Sequence, residues 1–280
     1  MDSLPTPLLA LREEAGLLLL TDDALARACG VRVAFSSRLG GVSEGCFSSL
    51  NLGGHVGDDP ECVRENRTKL ARALGADGMP LIVLNQVHGT DIVSVLDAEE
   101  ASLERVRDEA VRGADGVTVA VSGVAALLCF ADCAPLAVVS PTGRFAVAHA
   151  GWRGAYARIA SKAVSTLAQL DGEEAAPSDY NAYIGPCIRV ECFECGEDVC
   201  RAFADRFGEA CVPSARHVDL ASALACDLAS AGIEPFRICD AGICTVCRSD
   251  EWFSYRASKG SCGRHGAFAF SEREVVSHGN

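Results

Sequence analysis

Two histidines and one cysteine carry the strongest chemistry in this 280-residue chain. His88 follows the apolar run Leu81–Leu84, Cys133 lies in the turn Ala131-Asp132-Cys133-Ala134-Pro135, and His149 ends the run Phe145–Ala148. Each sits where a strand-like segment runs out. Two imidazoles and a thiolate are good ligands for Zn²⁺, and Cu²⁺ is possible with the same donors. Three protein ligands leave the fourth tetrahedral position open, which suits a catalytic zinc better than a structural one. The ligands are widely spaced, and spacing alone leaves two other readings open. One is a buried thiol with two hydrogen-bonded core histidines. The other is a hydrolase in which Cys133 is the nucleophile and His149 its base.

A second group of residues suits an anion. Arg153 stands in the turn Gly151-Trp152-Arg153-Gly154 at a helix start, where backbone N–H groups, helix dipole and guanidinium converge on a phosphate. The alternative is an arginine pairing with surface carboxylates. Arg38 and Arg256 are candidates of the same kind. The Gly-rich stretches Ser36–Ser43 and Ser48–Asp59 either bring backbone donors to a ligand or make tight turns between strands. Two CxxC pairs, Cys192/Cys195 and Cys244/Cys247, could together form a structural zinc site, or serve as small apolar fillers. His55, in the second Gly-rich stretch, is an outer candidate. His217, His265 and His278 have no partner that the sequence names, and His278 lies near the chain end.

The elements that must position these groups are read from patterning. Val117–Val121, Ala125–Phe130, Leu136–Ser140 and Phe145–Ala148 are short, Val- or Ala-rich runs bounded by Gly, Pro or Asp, the pattern of buried strands. Val31–Phe35, Tyr180–Ile184, Phe236–Cys239, Trp252–Arg256 and Gly266–Phe270 also read as strands. Helices are expected after Asp59-Pro60-Glu61, over Ala155–Leu170, over Gly196–Phe207 and after Asp219, with Cys192–Cys195 opening the third of these. Asp97–Arg112 reads as surface helix or loop, Asp171–Ser178 as a loop within one domain, and residues 1–16 as a loose start with one short helical or extended piece. Strands and helices interleave irregularly, which favours an α+β fold with mixed sheets over a doubly wound parallel one.

ADGVTV, ADCAPL, AHAGWRGA, IGPCI and NQVHGTDIV, in this arrangement, resemble the YfiH/YlmD family, also called the laccase-domain or multicopper polyphenol oxidase family and more recently purine nucleoside phosphorylase. The resemblance covers roughly residues 33–270. It implies a single YfiH-like domain with a cysteine-hydrolase-like fold, spanning residues 1–280. It also implies that His88, Cys133 and His149 bind one zinc. The implied reactions are phosphorolysis of adenosine, inosine, guanosine and methylthioadenosine, and adenosine deamination. Zinc suits the last because it brings the pKa of water down to about 7. The SRLGGVS and SLNLGGHVGDD stretches match family segments near the substrate, and Asn51 there is a candidate ligand-contacting amide. The family pattern SYRR…TGR is only partly kept, since Ala257 and Cys262 replace its second Arg and its Thr. The family's older name keeps copper-dependent polyphenol oxidation as an alternative, although six histidines are few for a multicopper oxidase.

Composition bounds the rest. An apolar fraction of 49% predicts a packed core, and a net charge of −13 argues against nucleic acid as a partner. The N-terminal segment lacks a basic region, and no apolar run is long enough for a membrane span, so no membrane association is expected. Fifteen scattered cysteines predict reduced thiols and a cytoplasmic protein, either a monomer or a small homo-oligomer.

Overall fold

A strand shows alternate side chains to its two faces, and in the centre of this chain both faces are apolar. The structure, a computed structural model, describes residues 3–272. In chain order the elements begin with β1 (Ala10–Glu14), β2 (Leu17–Thr21), α1 (Asp23–Cys29), β3 (Val31–Ser36), α2 (Pro60–Ala73), β4 (Leu81–Val83), β5 (Ile92–Val95) and α3 (Glu100–Arg112). The centre holds β6 (Gly116–Val119), β7 (Ala125–Phe130), β8 (Ala134–Val139), β9 (Phe145–Ala150), α4 (Trp152–Tyr156) and α5 (Ile159–Asp171). The remainder is β10 (Asn181–Ile184), α6 (Glu197–Phe207), α7 (Leu220–Ser230), β11 (Ile238–Asp240) and β12 (His265–Ser271).

The strands form two six-stranded sheets, ordered β1-β2-β3-β12-β7-β4 and β11-β10-β8-β9-β6-β5. Both are mixed: β4 pairs parallel with β7, β5 with β6 and β10 with β11, while the other neighbours are antiparallel. This is the expected α+β architecture. On β7, Ala126, Leu128 and Phe130 face the layer between the sheets, together with Phe145 and Val147 of β9. Ala125, Leu127 and Cys129 face outward under Leu70 and Leu74. On the other sheet Ala146 and Ala148 face outward under Ile159, Ala163 and Leu167 of α5 and under α7. The period of two thus builds four layers: α2, sheet, sheet, and the α5–α7 pair. Among the described residues no helix is long and apolar enough to cross a membrane.

The helix signals before α2 and α7 hold. Asp59 and Asp219 cap α2 and α7 with side-chain acceptors, and Gly75 follows α2 at a φ of 82°. Several expectations are corrected. The helix over Ala155–Leu170 starts earlier, at Trp152, and breaks at Arg158, whose φ of 65° separates α4 from α5. Cys192–Cys195 lies before α6 in a turn and opens no helix. Trp252–Arg256 is a series of turns: Trp252 and Phe253 are both buried, and the Ser254 hydroxyl accepts the Ala257 N–H, so no ladder forms. The start is not loose. Leu4 is buried, the Pro5 carbonyl accepts from Asn181, and Leu8 donates to Asp22. The apolar run Leu17–Leu20 is β2, paired with β1 across the turn residues Ala15 and Gly16, both at positive φ as a two-residue hairpin requires. His278 lies outside the described residues.

Leu128 is fully buried between the sheets. Leu128→Ala is expected to cost about 2–5 kcal/mol by lost transfer energy and a residual cavity, measured by urea unfolding. A loss below about 1 kcal/mol would show that the inter-sheet layer is not what holds the fold.

Candidate metal centre and pocket

Each of the three sequence-predicted ligands comes from a different part of the sandwich, and they meet at one end. His88 is on the loop after β4, Cys133 is in the turn where the chain crosses from β7 in one sheet to β8 in the other, and His149 is near the end of β9. Their donor atoms lie within 4.8 Å of one another. Cys133 Sγ is 3.8 Å from His88 Nε2, and the two imidazoles are edge-to-face at 4.8 Å. His149 is therefore part of its strand, one step further in than the apolar run alone suggests.

Asp115 organises the cluster. It is fully buried just before β6, and its Oδ1 accepts from His149 Nδ1 at 2.8 Å. The same carboxylate accepts the backbone N–H groups of Val87, His88 and Gly89 at 3.2, 2.9 and 2.6 Å. His88 has a φ of 61°, a sparsely populated conformation that these bonds hold in place. Gln86 fixes the other side of this loop, since its amide donates to the Cys129 carbonyl and accepts the Cys129 N–H, both at 2.8 Å. The Cys133 turn is held in the same manner. Asp132, at φ 87°, accepts the Thr245 hydroxyl at 2.6 Å and the Arg256 N–H at 2.7 Å.

The electrostatics follow from this packing. Burial alone would raise the Cys133 thiol, but His149 and His88 beside it pull it down to about 6. Burial would likewise lower His149, and the Cys133 sulfur and Asp115 outweigh it, pushing the imidazole up to about 9. Burial works to raise the Asp115 carboxyl as well, yet the His149 hydrogen bond and the Gly89 and His88 amides hold it below the usual range. With Nδ1 committed to Asp115, His149 offers Nε2 as its free donor, the arrangement that orients a metal-binding histidine. Two imidazoles and an acidic thiol fit a zinc- or copper-class ion. Gly151 makes room for them: a Cβ there would stand 2.9 Å from His88 Cδ2 and 3.2 Å from Cys133 Sγ.

The three donors open onto a cavity of about 470 Å³, within the usual range for small-molecule sites. Trp152, Ile188, Phe193, Leu220 and Tyr255 give it apolar and aromatic walls, while Arg256, Arg264 and His55 supply polar ones. The other candidates fall differently. Arg256 lines the cavity, its guanidinium donating to the Cys192 carbonyl at 3.1 Å. Arg153 is exposed, outside the lining, and stacked on Trp152 at 4.3 Å. Arg38 is engaged by the Ser48 and Ser249 carbonyls and by the face of Phe253. Asn51 is buried behind the wall. Its amide donates to Asp58 and Gly53 and accepts from Gly53 and Arg264, which leaves it to position Arg264. His217 pairs with Ser214, and His265 is buried between Phe130 and Trp252 and is not one of the clustered donors. Sequence reasoning passed over Asp115, Asp132, Gln86 and Arg264. The available signal was an acid directly before a buried strand and another directly before the cysteine.

Two substitutions test how the donors are held. Asp115→Asn removes the charge behind His149, and Gly151→Ala crowds His88 and Cys133. Each is expected to weaken metal binding about 10–100-fold, measured by competition with a chromophoric chelator. Unchanged affinity in both variants would show that the donors do not depend on this frame.

The family profile described as multi-copper polyphenol oxidoreductase laccase matches residues 32–272. Purine nucleoside phosphorylase YlmD of Geobacillus stearothermophilus is 35% identical over 247 residues, covering 85% of this chain and 89% of the relative. Purine nucleoside phosphorylase YfiH of Escherichia coli is 33% identical over 245 residues, covering 85% and 93%. Among solved structures, the hypothetical protein YfiH of Bacillus licheniformis has a TM-score of 0.81 at 29% identity, covering 93% of this chain and 98% of that one. The chain belongs to the multi-copper polyphenol oxidoreductase laccase family, the family of the YfiH and YlmD proteins.

Proposed function

We propose that this chain is a zinc-dependent purine nucleoside enzyme. It cleaves adenosine, inosine, guanosine and methylthioadenosine with phosphate and deaminates adenosine. The observation that carries the reading is the convergence of His88, Cys133 and His149 in the lining of an aromatic-walled cavity that also contains arginine. Relatives named purine nucleoside phosphorylase agree with it. A zinc held by the three donors would supply a Lewis-acidic positive charge in the cavity lining. Phe193, Leu220 and Trp152 offer apolar surface for a purine and exclude water from it. Arg256 and Arg264 face the same space and suit phosphate through charge-assisted hydrogen bonds. Arg153 is positioned to contribute only from the rim, and Arg38 only to the scaffold. Asp115 keeps the His149 ring in one tautomer throughout.

Copper-dependent phenol oxidation is the weaker reading of the same donors. Only two of the described histidines gather at the centre, so a multinuclear copper site has too few ligands here. The line Asp115–His149–Cys133 favours a second reading, a Cys–His hydrolase. An acidic thiol beside an oriented imidazole is what that chemistry needs. Zinc and a nucleophilic thiolate compete for one sulfur, so metal content separates the two. The fifteen scattered cysteines suit the reducing cytoplasm in which we place the protein.

His88→Ala, Cys133→Ala and His149→Ala are each expected to lose one zinc equivalent relative to the parent protein and both nucleoside activities with it. Retention of that zinc in all three would remove the metal reading. Restoration of turnover by copper and not by zinc would support oxidation. Arg256→Ala is expected to raise the KM for phosphate about ten- to a hundred-fold, as for a lost charge-assisted hydrogen bond, while adenosine deamination suffers less. Arg153→Ala should raise it less than Arg256→Ala. The reverse order would place the phosphate at the Gly151–Gly154 turn.

A further inference from the structure

A second group of metal-ligating side chains lies behind the cavity wall. Cys192, Cys244 and Cys247 come together with Glu191, and their ligand atoms all lie within 4.8 Å of one another. Cys192 Sγ is 3.4 Å from Cys247 Sγ, and Cys247 Sγ is 3.8 Å from Glu191 Oε1. A tetrahedral zinc with Zn–S bonds of about 2.3 Å has S–S edges of about 3.8 Å, so the spacing already approximates one. Cys195 is not part of the group. Its sulfur turns back on the Phe193 carbonyl at 3.7 Å. The four-cysteine arrangement suggested by two CxxC pairs is therefore replaced by one complete pair, one half of the other, and a neighbouring carboxylate.

These side chains are poorly explained as core filling. Only Cys244 is buried; Cys247 and Glu191 are exposed and Cys192 is partly buried, whereas the filler cysteines such as Cys187 and Cys200 are buried. We propose that Glu191, Cys192, Cys244 and Cys247 form a second, structural zinc site that clamps the segment 191–195 to the turn 244–247. Three thiolates and one carboxylate close the tetrahedron with no open position, the mark of a structural site, and thiolates select zinc over hard cations. Binding displaces one proton from each of the three thiols and transfers no electron. The exposed edge at Cys247 and Glu191 gives the ion a way in.

The clamp bears directly on the cavity. Phe193 follows Cys192 and lines the cavity, and the Cys192 carbonyl holds the Arg256 guanidinium. Thr245 lies within the Cys244–Cys247 loop and donates to Asp132, the residue before Cys133. Zinc at this site fixes one cavity wall and one support of the first centre at the same time. The proposal does not depend on the nucleoside chemistry.

The test is metal analysis of protein purified under reducing conditions without chelators. The parent chain is expected to carry about two zinc equivalents, both His88→Ala/Cys133→Ala and Cys244→Ser/Cys247→Ser about one, and the combined variant none. Cobalt loaded into His88→Ala/Cys133→Ala should give strong thiolate-to-cobalt charge-transfer absorption, because the remaining site is rich in sulfur. Cys247→Ser and Glu191→Ala alter exposed side chains, so they report on the site even if the double serine variant fails to fold. Each should release zinc to a competing chelator at least about tenfold more readily, as for loss of a ligand. A folded His88→Ala/Cys133→Ala protein with neither zinc nor a thiolate-to-cobalt band would overturn the proposal. A Cys192–Cys247 disulfide that persists through the reducing purification, found by alkylation and peptide mass, would overturn it equally.

Discussion

A buried carboxylate at the junction of the two sheets sets the geometry on which the candidate centre depends. Asp115 stands at the start of β6 in one sheet and receives three consecutive amides from the loop that leaves β4 in the other. Its remaining capacity goes to His149. A lone buried charge would be very costly, and this one is tolerated because four donors surround it. In return the loop around His88 takes a conformation that the backbone would not adopt unaided, and the two histidines are brought to one point.

The supporting structure explains why the site lies where it does. Both faces of β7 and β9 are apolar, because each is covered, by the opposite sheet on one side and by a helix on the other. Chemistry-bearing side chains find no place along these strands. They collect at the strand ends and in the crossover between the sheets, where backbone polar groups are free to bind side chains and a cavity can open. Gly151 belongs to the same logic: with sulfur and imidazole carbon within about a van der Waals contact, a bare Cα is what the space allows.

The two cysteine-containing centres differ in kind. At the first, a single thiol sits between imidazoles, which make it acidic, and all three side chains line the cavity. At the second, three sulfurs and a carboxylate gather. One buried hydrogen bond of 2.6 Å, from the Thr245 hydroxyl to Asp132, joins the segments that carry them.

Much of this was legible in the chain. Short Val- and Ala-rich runs bounded by Gly, Pro and Asp located the central strands, because a strand covered on both faces must be apolar at every position. Asp59 and Asp219 marked helix starts, because a cap is satisfied locally. The motifs around His88, Cys133 and His149 picked out three side chains that the fold brings together. Sequence patterning misjudged Trp252–Arg256, where Trp252 and Phe253 are buried without joining a sheet, and the helix break at Arg158, which nothing in residue type demands. Tertiary structure alone decided that Asp115 holds His149 and the His88 loop, that Asp132 holds the Cys133 turn, that Asn51 supports Arg264 from behind, and that Glu191, and not Cys195, joins the other three thiols. Local periodicity reports how a residue meets its own backbone. Which side chains converge depends on how two sheets stack and where the chain crosses between them, and that is set by packing across the whole core.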